Sequence, residues 1–257
     1  MVKFVGMPWN VPAREIWENG HHYLVHPLGH DLGRVRVLMG AALAASLLSG
    51  CAGPQYTYVR DDDGATYFKV PAQWRKVDQE AIEKAVFGEE DQSALRRAVW
   101  IVAYDADPQP SINHLVTGAS GADDRPFVLV KVQKLSEEQR NQASLNMLRN
   151  SLGFPVALSD DVRRRLDESG IYPYKDFKLL TDRVLPVEDG VRGVRSVFNL
   201  RHGIGPPQTY DETAYLSADG TRISSLVVRC SPACHRERAA EIDLIAKSFK
   251  VKRILIP

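Results

Sequence analysis

Three cysteines carry the most reactive chemistry of this 257-residue chain: Cys51, Cys230 and Cys234. Two of them stand close together, as Cys230-Ser231-Pro232-Ala233-Cys234. Such a pair has three uses: a structural bridge, a redox couple, or a metal site shared with His235. Redox couples normally leave two residues between the thiols, not three, and no second ligand pair accompanies this one. The histidines after Cys51 are His114, His202 and His235, all in stretches that read as loop or helix start. Ser120, in Gly118-Ala119-Ser120-Gly121, lacks the strand–Gly-x-Ser-x-Gly–helix setting of an activated serine and reads as a turn. Gly203-Ile204-Gly205 has no third glycine and no following helix, so it is not a dinucleotide fingerprint. Asp61-Asp62-Asp63-Gly64 opens like a calcium loop without the later ligands. His21, His22, His26 and His30 have the spacing of one helix face, but Pro27 and Gly29 break that helix. The expectation is no metal, no cofactor and no catalytic motif.

The residues before Cys51 give it a different role. Arg34 and Arg36 precede an apolar run from Val37 to Leu48, and Ser49-Gly50 lead into the cysteine. As a helix, those twelve residues reach roughly 18 Å, well short of the ~30 Å hydrocarbon core. The run is too short to anchor by spanning and fits the apolar part of a secretory signal. The small Ser49 and Gly50 let a peptidase approach the backbone. This layout resembles the signal of bacterial lipoproteins. The resemblance implies that the Cys51 thiol takes a diacylglycerol and that the chain is cut just before it. Two acyl chains then hold the protein firmly on the membrane, where one is marginal. Residues 1–33 stand upstream as a leader; either translation begins further in, at Val35 or Met39, or the leader is unusually long. The expected organisation is signal 34–50, polar tether 51–64 and one globular domain 65–257. An exported chain meets an oxidising compartment, so Cys230 and Cys234 are expected to form a structural disulfide. Its short loop limits the gain to about 2 kcal/mol.

Composition is ordinary for a globular protein, with 44% hydrophobic and 25% charged residues. Without residues 1–50, basic and acidic residues are equal in number, so charge gives no case for a nucleic-acid partner. The triplet Arg163-Arg164-Arg165, flanked by Asp160, Asp161, Asp167 and Glu168, reads as a solvated helix face. The roughly 200 residues after Cys51 suffice for one substantial core.

The elements that position these residues follow from their patterns. Tyr56 to Arg60 reads as a short strand or as tether, and Thr66 to Val70 as a strand leading to Trp74 as a core anchor. Asp78 caps a helix through about Phe87. Arg97 to Ala106 reads as a central strand, apolar on both faces, and Phe127 to Val132 as another. Between them, 107–126 reads as a long exposed loop. Ser136 and Gln139 make a capping box that opens a helix to about Asn150. A second helix runs from about Ser159 to Glu168, where Gly170 stops it. Then come Phe177 to Leu180, a break at Glu188-Asp189-Gly190, Val191 to Arg201, the loop 202–207 and Gln208 to Leu216. The turn Ser217-Ala218-Asp219-Gly220 joins this to Ile223 to Arg229. A helix from about His235 to Lys247 and the segment Ser248 to Val251 close the chain. Successive strands with short turns predict an α+β fold: an antiparallel sheet with helices packed on its faces.

Tyr67-Phe68-Lys69-Val70-Pro71-Ala72-Gln73-Trp74 resembles the start of domains with the Mog1/PsbP-like fold. The last helix, with Ile242 and Ile245 running into Ser248-Phe249-Lys250-Val251, resembles their end. The resemblance covers roughly residues 65–253 and implies a sandwich of antiparallel sheet and helices. The loop 106–126 and the helical stretch after residue 136 stand as departures from it. The group includes extracytoplasmic lipoproteins of bacteria, mostly binding or accessory proteins without known catalysis, and no functional residue carries over. The expectation is therefore a lipid-anchored, non-enzymatic envelope module that binds an envelope protein or small ligand through its sheet face or the loops 106–126 and 202–208. Tyr172, Tyr174 and Tyr210 are surface candidates in that case, against core packing as their plainer role. The alternative is an exported hydrolase, with His114 or His202 joined by distant carboxylate and serine residues.

Overall fold

The computed structural model describes residues 53–88, 93–112, 114, 124–170 and 172–253. Cys51, the apolar run before it, the leader histidines and Ser120 lie outside them. Among the described residues, β1 (Tyr56–Arg60) and β2 (Thr66–Pro71) form a hairpin, and β10 (Lys250–Val251) pairs with the free side of β2. A larger sheet is built from β3 (Arg75–Lys76), β4 (Val99–Asp105), β5 (Phe127–Lys134), β6 (Tyr174–Glu188), β7 (Val191–His202), β8 (Pro207–Leu216) and β9 (Arg222–Cys230). Its strand order is β3-β4-β5-β9-β8-β7-β6, and every pairing is antiparallel. The helices are α1 (Gln79–Phe87), α2 (Ser93–Ala98), α3 (Glu137–Asn141), α4 (Leu145–Arg149), α5 (Asp160–Glu168), α6 (Pro232–Glu237) and α7 (Ala239–Ser248).

Alternation along the strands divides the large sheet into two buried faces. Val102, Val128, Val130, Leu226 and Val228 point one way. They meet Ile242, Ile245 and Phe249 at the C-terminal helix, and Phe68, Val70 and Trp74 from the small sheet and its turn. On the opposite face Ile101 and Ala103 pack against Ile82 and Phe87 of α1, while Leu148 of α4 packs on Val194, Ala214, Leu216 and Ile223. Both faces are covered, which is why β4 and much of β5 read as nearly continuous apolar runs, whereas β8 and β9 bury polar side chains that are largely paired. Each of these fully buried aliphatic side chains contributes about 1.5–3 kcal/mol. The expected α+β class, with helices on both faces of an antiparallel sheet, is the one observed. No helix among the described residues is long and apolar enough to cross a membrane.

Several boundaries differ from expectation, each for a local reason. Residues 56–64 are not tether. Tyr56–Arg60 is a sheet strand, and Asp61 is buried at the head of a tight turn, its Oδ1 accepting from Thr66 N at 2.9 Å. Gly64 closes that turn at φ +69°. The helix expected from Ser136 is two short helices. The capping box of Ser136 and Gln139 is present, but Ser144 caps a new helix by accepting from Met147 N. Arg97 and Ala98 end α2 rather than opening a strand. The strand expected at Phe177–Leu180 extends from Tyr174 to Glu188, with three irregularities against β7. The C-terminal helix begins earlier, with Ser231 as cap and Pro232 in the first turn, and breaks at Arg238. The helix after Ser159 ends as expected, with Gly170 at φ +71°.

Candidate functional site

Asp211 and Glu212 sit side by side in β8, so their side chains leave opposite faces of the sheet, and both are about 2% exposed. Each therefore needs a partner. Arg195 of β7 meets Asp211 with two hydrogen bonds, Nε to Oδ1 at 2.8 Å and Nη2 to Oδ2 at 2.7 Å, and reaches Asp243 of α7 at 2.8 Å. Burial works against the charge on Asp211, and the Arg195 bonds overcome it, so the carboxyl is held below its ordinary range. His235 stands beside this pair, Nε2 3.7 Å from Asp211 Oδ2. Expected as a solvated residue, it is half-buried against β8, because α6 starts at Pro232 and carries it inward.

Next to this ion pair a groove of about 370 Å³ opens between α7, β10 and the end of the β6–β7 hairpin. Leu185, Pro186, Val191, Tyr215 and Ala246 give it apolar walls, and Thr213 lines it with a buried hydroxyl that has no hydrogen-bond partner. The Tyr215 ring lies across Gly193, where a Cβ would fall 2.4 Å from a ring carbon. Only glycine leaves room for this wall of the groove. Lys247 and Lys250 stand at its rim, paired with Asp243 and Glu188. An apolar hollow of this size with balanced charges at its rim suits a small ligand or a protruding side chain of a partner.

On the other face, Ser151 Oγ donates to Glu212 Oε1 at 3.1 Å and lies 2.6 Å from Ser225 Oγ, while Lys131 Nζ donates to the Ser151 carbonyl at 2.6 Å. Burial pushes the Glu212 carboxyl up, to about 8, and pulls the Lys131 ammonium down, to about 8. Arg149 adds a bidentate pair with Asp182 of β6. These bonds pin α4 and its following turn onto the sheet. Ser225, Lys131 and Glu212 are buried beneath that turn and Ser151 is half-buried within it, so the set fastens the turn to the sheet.

His114 and His202, the histidines singled out by sequence, both lie near Arg229. His114 Nδ1 lies 2.8 Å from Asp105 Oδ2, and its carbonyl accepts from the Arg229 guanidinium. Arg229 lies 4.3 Å over the Phe127 ring. His202 stands 5.7 Å from the Tyr174 ring, and burial, then the Arg229 charge, lowers its pKa. The structure thus gives His114 a carboxylate, but no serine hydroxyl among the described residues bonds its ring. Tyr210 is core, stacked on Phe198 at 5.5 Å; Tyr172 and Tyr174 are half-buried edge to face. Arg164 pairs at the surface with Asp161, as a solvated face does, but Arg163 turns inward to the Pro155 carbonyl and lies 4.5 Å over the Phe177 ring. Cys230 and Cys234 face one another across the β9–α6 turn, Cα atoms 5.9 Å apart, inside the span a disulfide needs. No group of three metal-ligating side chains comes together among the described residues.

No family model and no curated protein sequence matches the chain. Solved structures similar to it do exist. One is the cyanobacterial PsbP from Synechocystis sp. PCC 6803, at 14% identity and a TM-score of 0.44, over 79% of this chain and 96% of that one. Another is LpqN, involved in cell envelope biogenesis of Mycobacterium tuberculosis, at 12% identity and a TM-score of 0.42, over 77% and 91%. A third is the Saccharomyces cerevisiae Ran-binding protein Mog1p, at 8% identity and a TM-score of 0.38, over 77% and 96%. PsbP and Mog1 are the proteins after which the fold resembled by the ends of this chain is called. Roles of individual residues are not carried over from them.

Proposed function

We propose that this protein is a lipid-anchored, extracytoplasmic module of the cell envelope that binds rather than catalyses. The observation that carries this reading is the placement of Cys51. It follows Arg34, Arg36, the apolar run and Ser49-Gly50, and only four residues separate it from the first strand at Tyr56. A cysteine placed there is a membrane attachment point directly at the edge of a folded domain. The groove beside α7, with its apolar walls and charged rim, is the receiving site for a small ligand or partner side chain. In the oxidising setting that export supplies, Cys230 and Cys234 bridge and fix the start of α6. The test replaces the thiol: Cys51→Ser releases the protein from the membrane fraction into the soluble one, whereas equal retention overturns the reading. A second reading, an exported hydrolase, draws on the His114–Asp105 pair alone. Replacing His114 with Ala and assaying the purified protein on general esterase and amidase substrates separates the two, since a binding module shows no His114-dependent turnover.

A further inference from the structure

The small sheet sends Val59, Phe68 and Val70 into the core, so its other face carries the alternate residues. These are Tyr56, Tyr58 and Arg60 of β1, Tyr67 and Lys69 of β2, and Lys250 of β10. The register sets Tyr58 opposite Lys69, Arg60 opposite Tyr67, and Tyr67 opposite Lys250. Lys69 Nζ lies 4.2 Å over the Tyr56 ring, and Lys252 Nζ 4.9 Å over the Tyr67 ring. Tyr58 is 77% exposed. Three tyrosines and four cations thus share one outward face, and no carboxylate occupies these positions. Glu188 of β6 reaches the margin, 3.6 Å from Lys250. After residue 50 basic and acidic residues are equal in number, so this excess of cations is local to the face; Asp62 and Asp63 are exposed in the turn between β1 and β2, and Asp63 pairs with Arg222.

Tyrosine rings with a polar tip suit the headgroup layer of a bilayer, and clustered Lys and Arg are drawn to an anionic leaflet. The chain from Cys51 to Tyr56 is short as well. Fully extended it reaches at most ~18 Å, so acyl chains on Cys51 keep β1 within that distance of the headgroups. We infer that the outer face of the β1-β2-β10 sheet is a membrane-docking surface that recognises anionic phospholipid headgroups and orients the domain. This rests on the lipidation of Cys51 proposed above and adds what that lipid alone does not give, a fixed face toward the bilayer.

The test uses the full-length Cys51→Ser protein, which carries no acyl chain, and co-sedimentation with vesicles of phosphatidylcholine alone or mixed with phosphatidylglycerol. The apolar leader is common to every variant, so differences between variants report the folded face. The expected result is tighter binding to the phosphatidylglycerol vesicles that weakens with salt. Lys69→Gln and Lys252→Gln each weaken it about fivefold, and Tyr58→Ala weakens it further, whereas Lys178→Gln on the exposed β6 strand leaves it unchanged. All four side chains reach solvent, and equal melting temperatures of the variants verify that folding is intact. Equal binding to both vesicle types, or phosphatidylglycerol binding untouched by the Lys69 and Lys252 changes, overturns the inference. Because the assay contains no lipidated protein, its outcome is independent of the mass of native Cys51, which tests the lipidation itself.

Discussion

Asp211 and Glu212 are chain neighbours, yet the two faces of β8 give them opposite protonation behaviour. Asp211 is held charged by Arg195, so its folded pKa lies below its ordinary 3.8. Its stabilisation is complete above that ordinary value and is lost as pH falls through the lower folded one. Asp211→Asn leaves the half-buried Arg195 with Asp243 as its carboxylate partner and costs about 3 kcal/mol at neutral pH. Urea denaturation at neutral and at strongly acidic pH reads this: the gap between variant and parent closes in acid, and a gap that stays constant contradicts the assignment. Glu212 runs the other way. Its folded pKa, about 8, exceeds its ordinary 4.5, so the folded state holds the extra proton and stability declines as pH rises between those values. Glu212→Gln keeps the shape without the titration and flattens that decline. The check is a melting-temperature profile across the same range, where an unchanged slope refutes it.

The elements show how far residue types speak for themselves. Three helix starts and one stop were legible from their caps: Asp78, Ser136 with Gln139, and Ser159 begin helices, and Gly170 lies just past the end of one. The central strands β4 and β5 were legible as short runs of β-forming residues, apolar on both faces. The split at Ser144 was hidden because Leu145, Met147 and Leu148 continue a helical pattern through it; the signal was the serine itself, a cap in mid-pattern. The fifteen residues of β6 were hidden because an edge strand faces solvent and need not alternate. Of the site, Cys230 and Cys234 were legible as neighbours. The groove was not, since its walls come from β6, β7, β8, α7 and β10, elements up to 66 residues apart between Leu185 and Val251. Consecutive acids inside a strand, Asp211-Glu212, were the one available pointer to the half-buried Arg195 and the buried Lys131. Gly193 in β7 belongs to this scale as well. Gly193→Val forces the Tyr215 ring off the strand and fills the groove wall, costing roughly 1–3 kcal/mol. Tyrosine fluorescence or a proton spectrum of the ring, compared with the parent, tests this; an unmoved Tyr215 resonance at full stability contradicts it.

At the scale of the whole molecule, the two ends of the folded chain lie in one small sheet. The small sheet closes the core with Phe68, Val70 and Phe249, and so draws both the start and the finish of the folded chain to one place. In the attachment proposed for Cys51, four residues separate the cysteine from β1, and the small sheet in place of a long tether would then set how the domain stands at the membrane. The groove and the ion pair of Arg195 and Asp211 lie on the face that the small sheet and α7 share. Mass spectrometry of the protein extracted from membranes tests this account most directly. It predicts a chain that begins at Cys51 and carries the mass of a diacylglycerol thioether there. A mature chain that retains residues ahead of Cys51, or an unmodified Cys51 thiol, contradicts it.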